Sequence, residues 1–348
     1  MILTIFSGLL LFLCFLALLR ILSLLGIFSY GKIKTFFGVM IEGSDSYWKW
    51  KFSRAHSSGK VSYKGMDVYN SQRGWTLAPN LKNKLHYGAY INSNLEGIRG
   101  TKNNFSEKKV LFFGDSFCFG EGVDDNQTIP EFFEKDFKNI SSINLGVHGY
   151  GIDQQYMYLK DTIKKYNPQL TCFIITDNDF RRNFMDFRDS AKPKFELRKG
   201  NLVLPNIPVI TPEAFLRKKK ISFFKLPFEM IKHFFIYYGF VGKRKRKKIC
   251  SLLLDKIKKA VDENGSDLIF IYINDARRGL WYRLSYIDRF FANSFKRKNI
   301  KNLQLEKIFG RKKLKDMFDT LSGHFTPEAN KLVAQKLSEF VKEQEILK

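Results

Sequence analysis

The feature that most restricts how this chain can fold is a short run after Lys109. Val110-Leu111-Phe112-Phe113 is apolar without interruption and stops at Gly114. A strand wetted on one side alternates apolar and polar residues, whereas a short continuous run fits a strand covered on both faces, as in a parallel sheet between helices. The pattern then repeats. Helical spacing over 127–137 gives way to an apolar run over 140–145, helical spacing over 153–165 and a third apolar run over 170–175. This alternation predicts an α/β fold with a doubly wound parallel sheet and right-handed crossovers. A basic helix ending near Glu263, a further buried strand over 267–273 and a closing helix over 327–343 complete the expected domain, 108–348.

Two segments precede it. Ile2 to Leu19 holds no charged residue, and the apolar character resumes from Ile21 to Tyr30. Eighteen residues at ~1.5 Å each nearly cross a hydrocarbon layer of about 30 Å, so residues 1–30 are expected to be a retained single-pass transmembrane anchor. No basic start and no Ala-x-Ala site marks a cleaved signal. Arg20, Lys32 and Lys34 follow the apolar run, which by the positive-inside rule favours a cytoplasmic domain. In so lysine-rich a chain that bias says little, and an extracytoplasmic domain is the expectation adopted. Residues 31–107 are polar, rich in Gly and Asn, with short aromatic and β-branched runs, and read as a small β-rich lead-in.

The 348 residues include 59 Lys and Arg against 34 Asp and Glu, a formal charge of +25. Much of the excess sits in three runs, 217–220, 243–248 and 311–315. No zinc-finger spacing or ribonucleoprotein aromatic pattern accompanies them, which disfavours nucleic acid. Solvated faces are the plain reading; an anionic lipid or acidic glycan at the insertion spanning about 190–245 is the alternative, because Phe234-Phe235-Ile236-Tyr237-Tyr238 lies beside the second run. Within that insertion, residues 194–204 read as a hairpin turning at Lys199-Gly200-Asn201. Cys14, Cys118, Cys172 and Cys250 form no CxxC pair, and neither a metal nor a cofactor is expected. Cys118 is read as a core residue rather than a nucleophile.

The first strand ends at Gly114-Asp115-Ser116-Phe117, which puts Ser116 at the carboxyl edge of the sheet, where such folds bind ligands. A serine hydroxyl needs a base to take its proton. Of the five histidines, His324 is best placed, in the loop Ser322-Gly323-His324-Phe325-Thr326-Pro327 that opens the last helix. Singly, these residues also read as a helix cap and an exposed loop residue.

Together they resemble the SGNH, or GDSL-like, hydrolases, over roughly residues 108 to 345. Gly114-Asp115-Ser116-Phe117 is similar to the block holding the nucleophile, Asn144 to Gly151 to the second, Asp177-Asn178-Asp179 to the third, and His324 with Phe325, Pro327 and Asn330 to the last. The lead-in Asn92-Ser93 to Gly97-Ile98-Arg99-Gly100 looks like that of membrane-attached members. The resemblance implies a three-layer αβα, flavodoxin-like SGNH fold and a catalytic pair Ser116 and His324. It also implies an oxyanion hole from the amides of Ser116 and Gly149 and the side chain of Asn178. The chain departs from the pattern where an aspartate should precede the histidine by two or three residues: Ser322 and Leu321 stand there. Either Asp319 reaches the imidazole through a bulged loop, or a backbone carbonyl orients it and leaves a dyad.

The resulting expectation is an esterase for O-acyl, foremost O-acetyl, groups of a cell-envelope saccharide. An O-acyltransferase using the same pair and a non-catalytic glycan- or membrane-binding protein on the same scaffold are the alternatives.

Overall fold

The computed structural model describes residues 65–188, 190–211, 242–274 and 286–347, with Leu10, Cys14, Ala17 and Ala214 as isolated positions. The expected anchor, lead-in residues 31–64, the basic run 217–220 and the aromatic stretch 234–238 lie outside the described residues. Among the described residues no helix is long and apolar enough to cross a membrane.

The described part of the lead-in has short strands and no long helix. β1 (Asp67–Asn70) pairs with β2 (Gly74–Leu77), and β3 (Lys84–His86) with β4 (Ala89–Ile91), both antiparallel. β5 (Lys108–Gly114), β6 (Ile140–Gly146) and β7 (Leu170–Thr176) follow. Two ribbons, β8 (Phe187–Arg188) with β9 (Ser190–Ala191) and β10 (Glu196–Arg198) with β11 (Asn201–Val203), precede β12 (Asp267–Ile273) and β13 (Lys301–Gln304). The expected hairpin turns at Lys199 and Gly200, both with positive φ, the two-residue turn whose twist suits paired strands.

β5, β6, β7, β12 and β13 form one parallel sheet in the order β13-β12-β7-β5-β6. Counted along the sheet this is the flavodoxin-like 2-1-3-4-5 order, whose direction of winding reverses between β5 and β7 and opens a crevice at their carboxyl ends. In register, Gly114 faces Gly146 on one side and Ile174 on the other, so three strands end together beneath that crevice.

The helices are α1 (Ser116–Phe119), α2 (Ile129–Lys135), α3 (Ile152–Tyr166), α4 (Asp177–Arg182), α5 (Lys243–Asp262), α6 (Tyr286–Arg297), α7 (Leu305–Phe309), α8 (Arg311–Asp316) and α9 (Pro327–Glu343). Side chains alternate across a strand, and both sides of β5 are buried. Val110 and Phe112 pack toward α2 and α9, while Leu111 and Phe113 pack toward α3, α5 and α6, which gives the three layers. In α9, Thr326 caps the N-terminus by accepting from the Ala329 amide at 3.2 Å, Pro327 supplies the first turn, and Val333, Ala334, Leu337 and Val341 are buried against α2 and the sheet. Burying such a stripe is what stabilises a helix of this length.

The run 243–248 opens α5. Lys243, Arg244, Lys245 and Lys248 are exposed, whereas Arg246 is buried. Cations at a helix N-terminus oppose its dipole by a few tenths to ~1 kcal/mol each. The buried stripe Ile249, Leu253, Leu254, Ile257 and Val261 carries the helix against that cost.

Candidate active site

Each of β5, β6 and β7 delivers one loop to the crevice. After β5, Asp115 caps α1 by accepting from the Phe117 amide at 3.0 Å, which leaves Ser116 as the first helical residue. After β7, Asn178 stands in the first turn of α4, partly buried. After β6, Gly149 has φ +71°, a left-handed conformation that calls for glycine, and the Arg188 guanidinium packs where a Cβ would stand.

One guanidinium nitrogen ties these three loops together. Nη1 of buried Arg182 donates to Asp115 at 2.8 Å, to Asp179 at 2.9 Å and to the carbonyl of Tyr150 at 3.1 Å. Burial and the neighbouring Asp115 carboxylate push Asp179 well above the ordinary carboxylate range, against the pull of Arg182. The positions of Ser116, Gly149 and Asn178 are therefore coupled through a side chain that comes from the end of α4.

The lead-in braces the same place. Trp75 Nε1 donates to the carbonyl of His148 at 3.0 Å, the Tyr150 hydroxyl donates to the carbonyl of Trp75, and Gln154 donates to the carbonyl of Arg73 at 2.8 Å. Residues before the sheet thus fix the loop that carries Gly149.

His324 arrives from the other end of the sequence, between α8 and α9. Its Nε2 lies 2.7 Å from Ser116 Oγ and its Nδ1 lies 2.9 Å from the carbonyl oxygen of Ser322. A carbonyl can only accept, so Nδ1 carries the proton and the Nε2 lone pair is left to receive the serine hydroxyl. The Phe117 ring packs on the imidazole with centroids 4.8 Å apart.

Asp319, the sequence candidate for orienting His324, is directed elsewhere. Its carboxylate accepts from the Ser322 amide at 2.6 Å, while its amide donates to the His324 carbonyl at 2.7 Å. It shapes the turn, and the Ser322 carbonyl does the orienting. The Ser322 amide and other amides of the turn hold the Asp319 carboxyl below the usual range.

Cys118 is fully buried, and burial with nearby carboxylates pushes its thiol well above the ordinary range, which suits packing rather than nucleophilic attack.

Sequence reasoning missed Glu121. It leaves α1 with its amide donating to the Ser116 carbonyl at 3.0 Å, and its carboxylate is buried. Oε1 is 3.0 Å from His86 Nε2, Oε2 is 3.0 Å from His148 Nδ1, and Oε2 is also 3.8 Å from His324 Nε2. Burial alone would raise this carboxyl, but His148, His86 and His324 hold it well below the usual range, so it is ionised. Burial lowers the His148 imidazole despite Glu121 beside it. His86, Glu121 and His148 are residue types that also ligate divalent metals, with ligand atoms within 4.8 Å of one another. Here each carboxylate oxygen accepts from one ring nitrogen, which satisfies the carboxylate without an ion. The usable signal was an acid between two glycines, Gly120 and Gly122, directly behind the nucleophile. Gly122 has φ +85°, and a Cβ there would lie 2.7 Å from the side chain of Ser322, so glycine lets the two loops meet.

No family model matches this sequence, and no curated protein is detectably similar to it. Among solved structures, TesA is similar at 13% identity over 68% of this chain and 99% of that chain, with a TM-score of 0.42. A GDSL-like lipase from Bacteroides thetaiotaomicron is similar at 14% identity over 68% and 89%, TM-score 0.39. The psychrotrophic esterase EstA from a Pseudoalteromonas species, solved with monoethylphosphonate as inhibitor, is similar at 12% identity over 68% and 98%, TM-score 0.40.

Proposed function

We propose that this protein is a serine esterase of the SGNH type that removes O-acyl groups, foremost O-acetyl, from a cell-envelope saccharide. One observation carries the reading: Ser116 Oγ and His324 Nε2 lie 2.7 Å apart at the carboxyl edge of the sheet, with the imidazole tautomer set for proton acceptance. In this reading Ser116 Oγ attacks the ester carbonyl carbon as its proton passes to His324 Nε2. The amides of Ser116 and Gly149 and the side chain of Asn178 stabilise the oxyanion. The imidazolium returns the proton to the leaving alkoxide, and water repeats the sequence on the acyl-enzyme.

The saccharide is supported by the apolar stretch 2–19, read as an anchor at the envelope.

The test is hydrolysis of an aryl acetate by the full chain in detergent, beside Ser116→Ala, with a phosphonate probe and mass location of the adduct. Turnover abolished by Ser116→Ala and an adduct on Ser116 are expected. Equal background rates in both proteins would remove the enzyme.

A further inference from the structure

We propose that Glu121 is the charge partner of His324. It supplies the electrostatic part of what an aspartate hydrogen-bonded to Nδ1 ordinarily does, while the Ser322 carbonyl supplies the orientation. The inference rests on the esterase reading for its catalytic consequence, though not for its electrostatics.

The geometry separates the two roles. On the Nδ1 side His324 meets a neutral carbonyl at 2.9 Å, which fixes the ring but contributes no full charge. On the Nε2 side it meets Ser116 Oγ at 2.7 Å and, 3.8 Å away, a carboxylate oxygen. When the proton moves from Oγ to Nε2 as Oγ bonds the acyl carbon, a positive imidazolium forms beside that carboxylate. The proton then leaves for the alkoxide oxygen, and Glu121 never takes it. An opposite charge at this range favours the charged form of the imidazole.

Glu121 is built to stay put. It projects from a backbone hydrogen-bonded to Ser116, and both oxygens are held by rings from separate elements, His86 of β3 and His148 of the loop after β6. Arg99, buried and bonded to the carbonyls of Gly120 and Val123, is a further cation that acts on Glu121 and also pairs with Asp125. His324 is faced by Ser116, Phe117, Ser322 and Glu121, and the Asp319 carboxylate on its own loop is taken up by the Ser322 amide.

The experiment compares Glu121→Gln and Glu121→Asp with the parent as full chains, by pH profile of aryl-acetate hydrolysis and by NMR titration of the His324 ring. In Glu121→Gln the acid limb of kcat/KM and the midpoint of the His324 ring titration should both move to lower pH. kcat should drop about 10- to 100-fold with KM little changed. Glu121→Asp keeps the charge and should recover most of both shifts. An unmoved limb and an unmoved ring pKa in folded Glu121→Gln would overturn the proposal. Should Glu121→Gln fail to fold, as read by near-UV circular dichroism, Glu121→Asp decides: a ring titration displaced to lower pH is expected for the withdrawn carboxylate, and an unchanged titration overturns the proposal. The titration is repeated in Ser116→Ala, so a parent without turnover whose ring pKa still depends on Glu121 would sink the esterase reading alone.

Discussion

Two loops meet at one imidazole and treat it differently. The loop of His324 offers a carbonyl to Nδ1 and a tight turn held by Asp319. The loop behind the nucleophile offers a buried carboxylate to the Nε2 side. Orientation and charge compensation, which a single aspartate can combine, come here from opposite sides of the ring. An absent motif residue therefore marks an absent position, and the physical demand can be met from another strand end.

The comparison breaks most completely at the pair itself. Ser116→Ala and His324→Gln should each lower turnover by on the order of 10⁴- to 10⁶-fold, and the double variant should be little worse than either, because the two act as a unit. A rate loss that multiplies in the double variant would show two independent contributions. Next comes Arg182→Met, which strips one nitrogen from three strand-end loops and leaves Asp115 and Asp179 without their shared cation. Losing one partner of a buried ion pair costs about 3–5 kcal/mol, read as a fall in the denaturant midpoint.

Asp319→Asn sharpens the other side. The Asp319 carboxyl is held low in the folded protein, so its contribution is present above the unfolded value of about 3.9 and is lost as pH falls through the lowered folded value. The variant should be less stable by no more than about 1 kcal/mol at neutral pH, with the difference closing in strong acid. Its acid limb in the rate profile should coincide with the parent's; a displaced limb would return Asp319 to the imidazole. The smallest effect belongs to the solvated end of α5: replacing Lys243, Arg244, Lys245 and Lys248 by Gln relieves charge opposed to the helix dipole. Stability should rise by about 1 kcal/mol or less, with hydrolysis of a neutral aryl ester unchanged.

The parts legible in the sequence are those set by local pattern. β12 and α9 lie where apolar periodicity puts them, over 267–273 and 327–343, and β5 to β7 differ from the expected runs by a residue or two. β13 escaped because it is a polar edge strand with only Leu303 of its four residues buried, which presents no apolar run. Ser116 and His324 were legible because each is fixed by a strand end or a helix start. Of the two orienters the sequence left open, Asp319 and a backbone carbonyl, it is the Ser322 carbonyl that meets Nδ1, because proximity in sequence does not say which way a turn points its carboxylate. Glu121 was invisible because its partners come from positions 86, 148 and 324, and only folding brings one acid within reach of three rings.

The separation of Ser116 and His324 by 208 positions also orders events during synthesis. A ribosome releases the hydroxyl, its supporting strand and the carboxylate long before the base. Until α9 settles on α2, with Asn330 donating to the Gln127 carbonyl at 3.0 Å, the half-made protein holds a serine with nothing to deprotonate it. In the proposed esterase the reacting pair therefore exists only once the fold is complete.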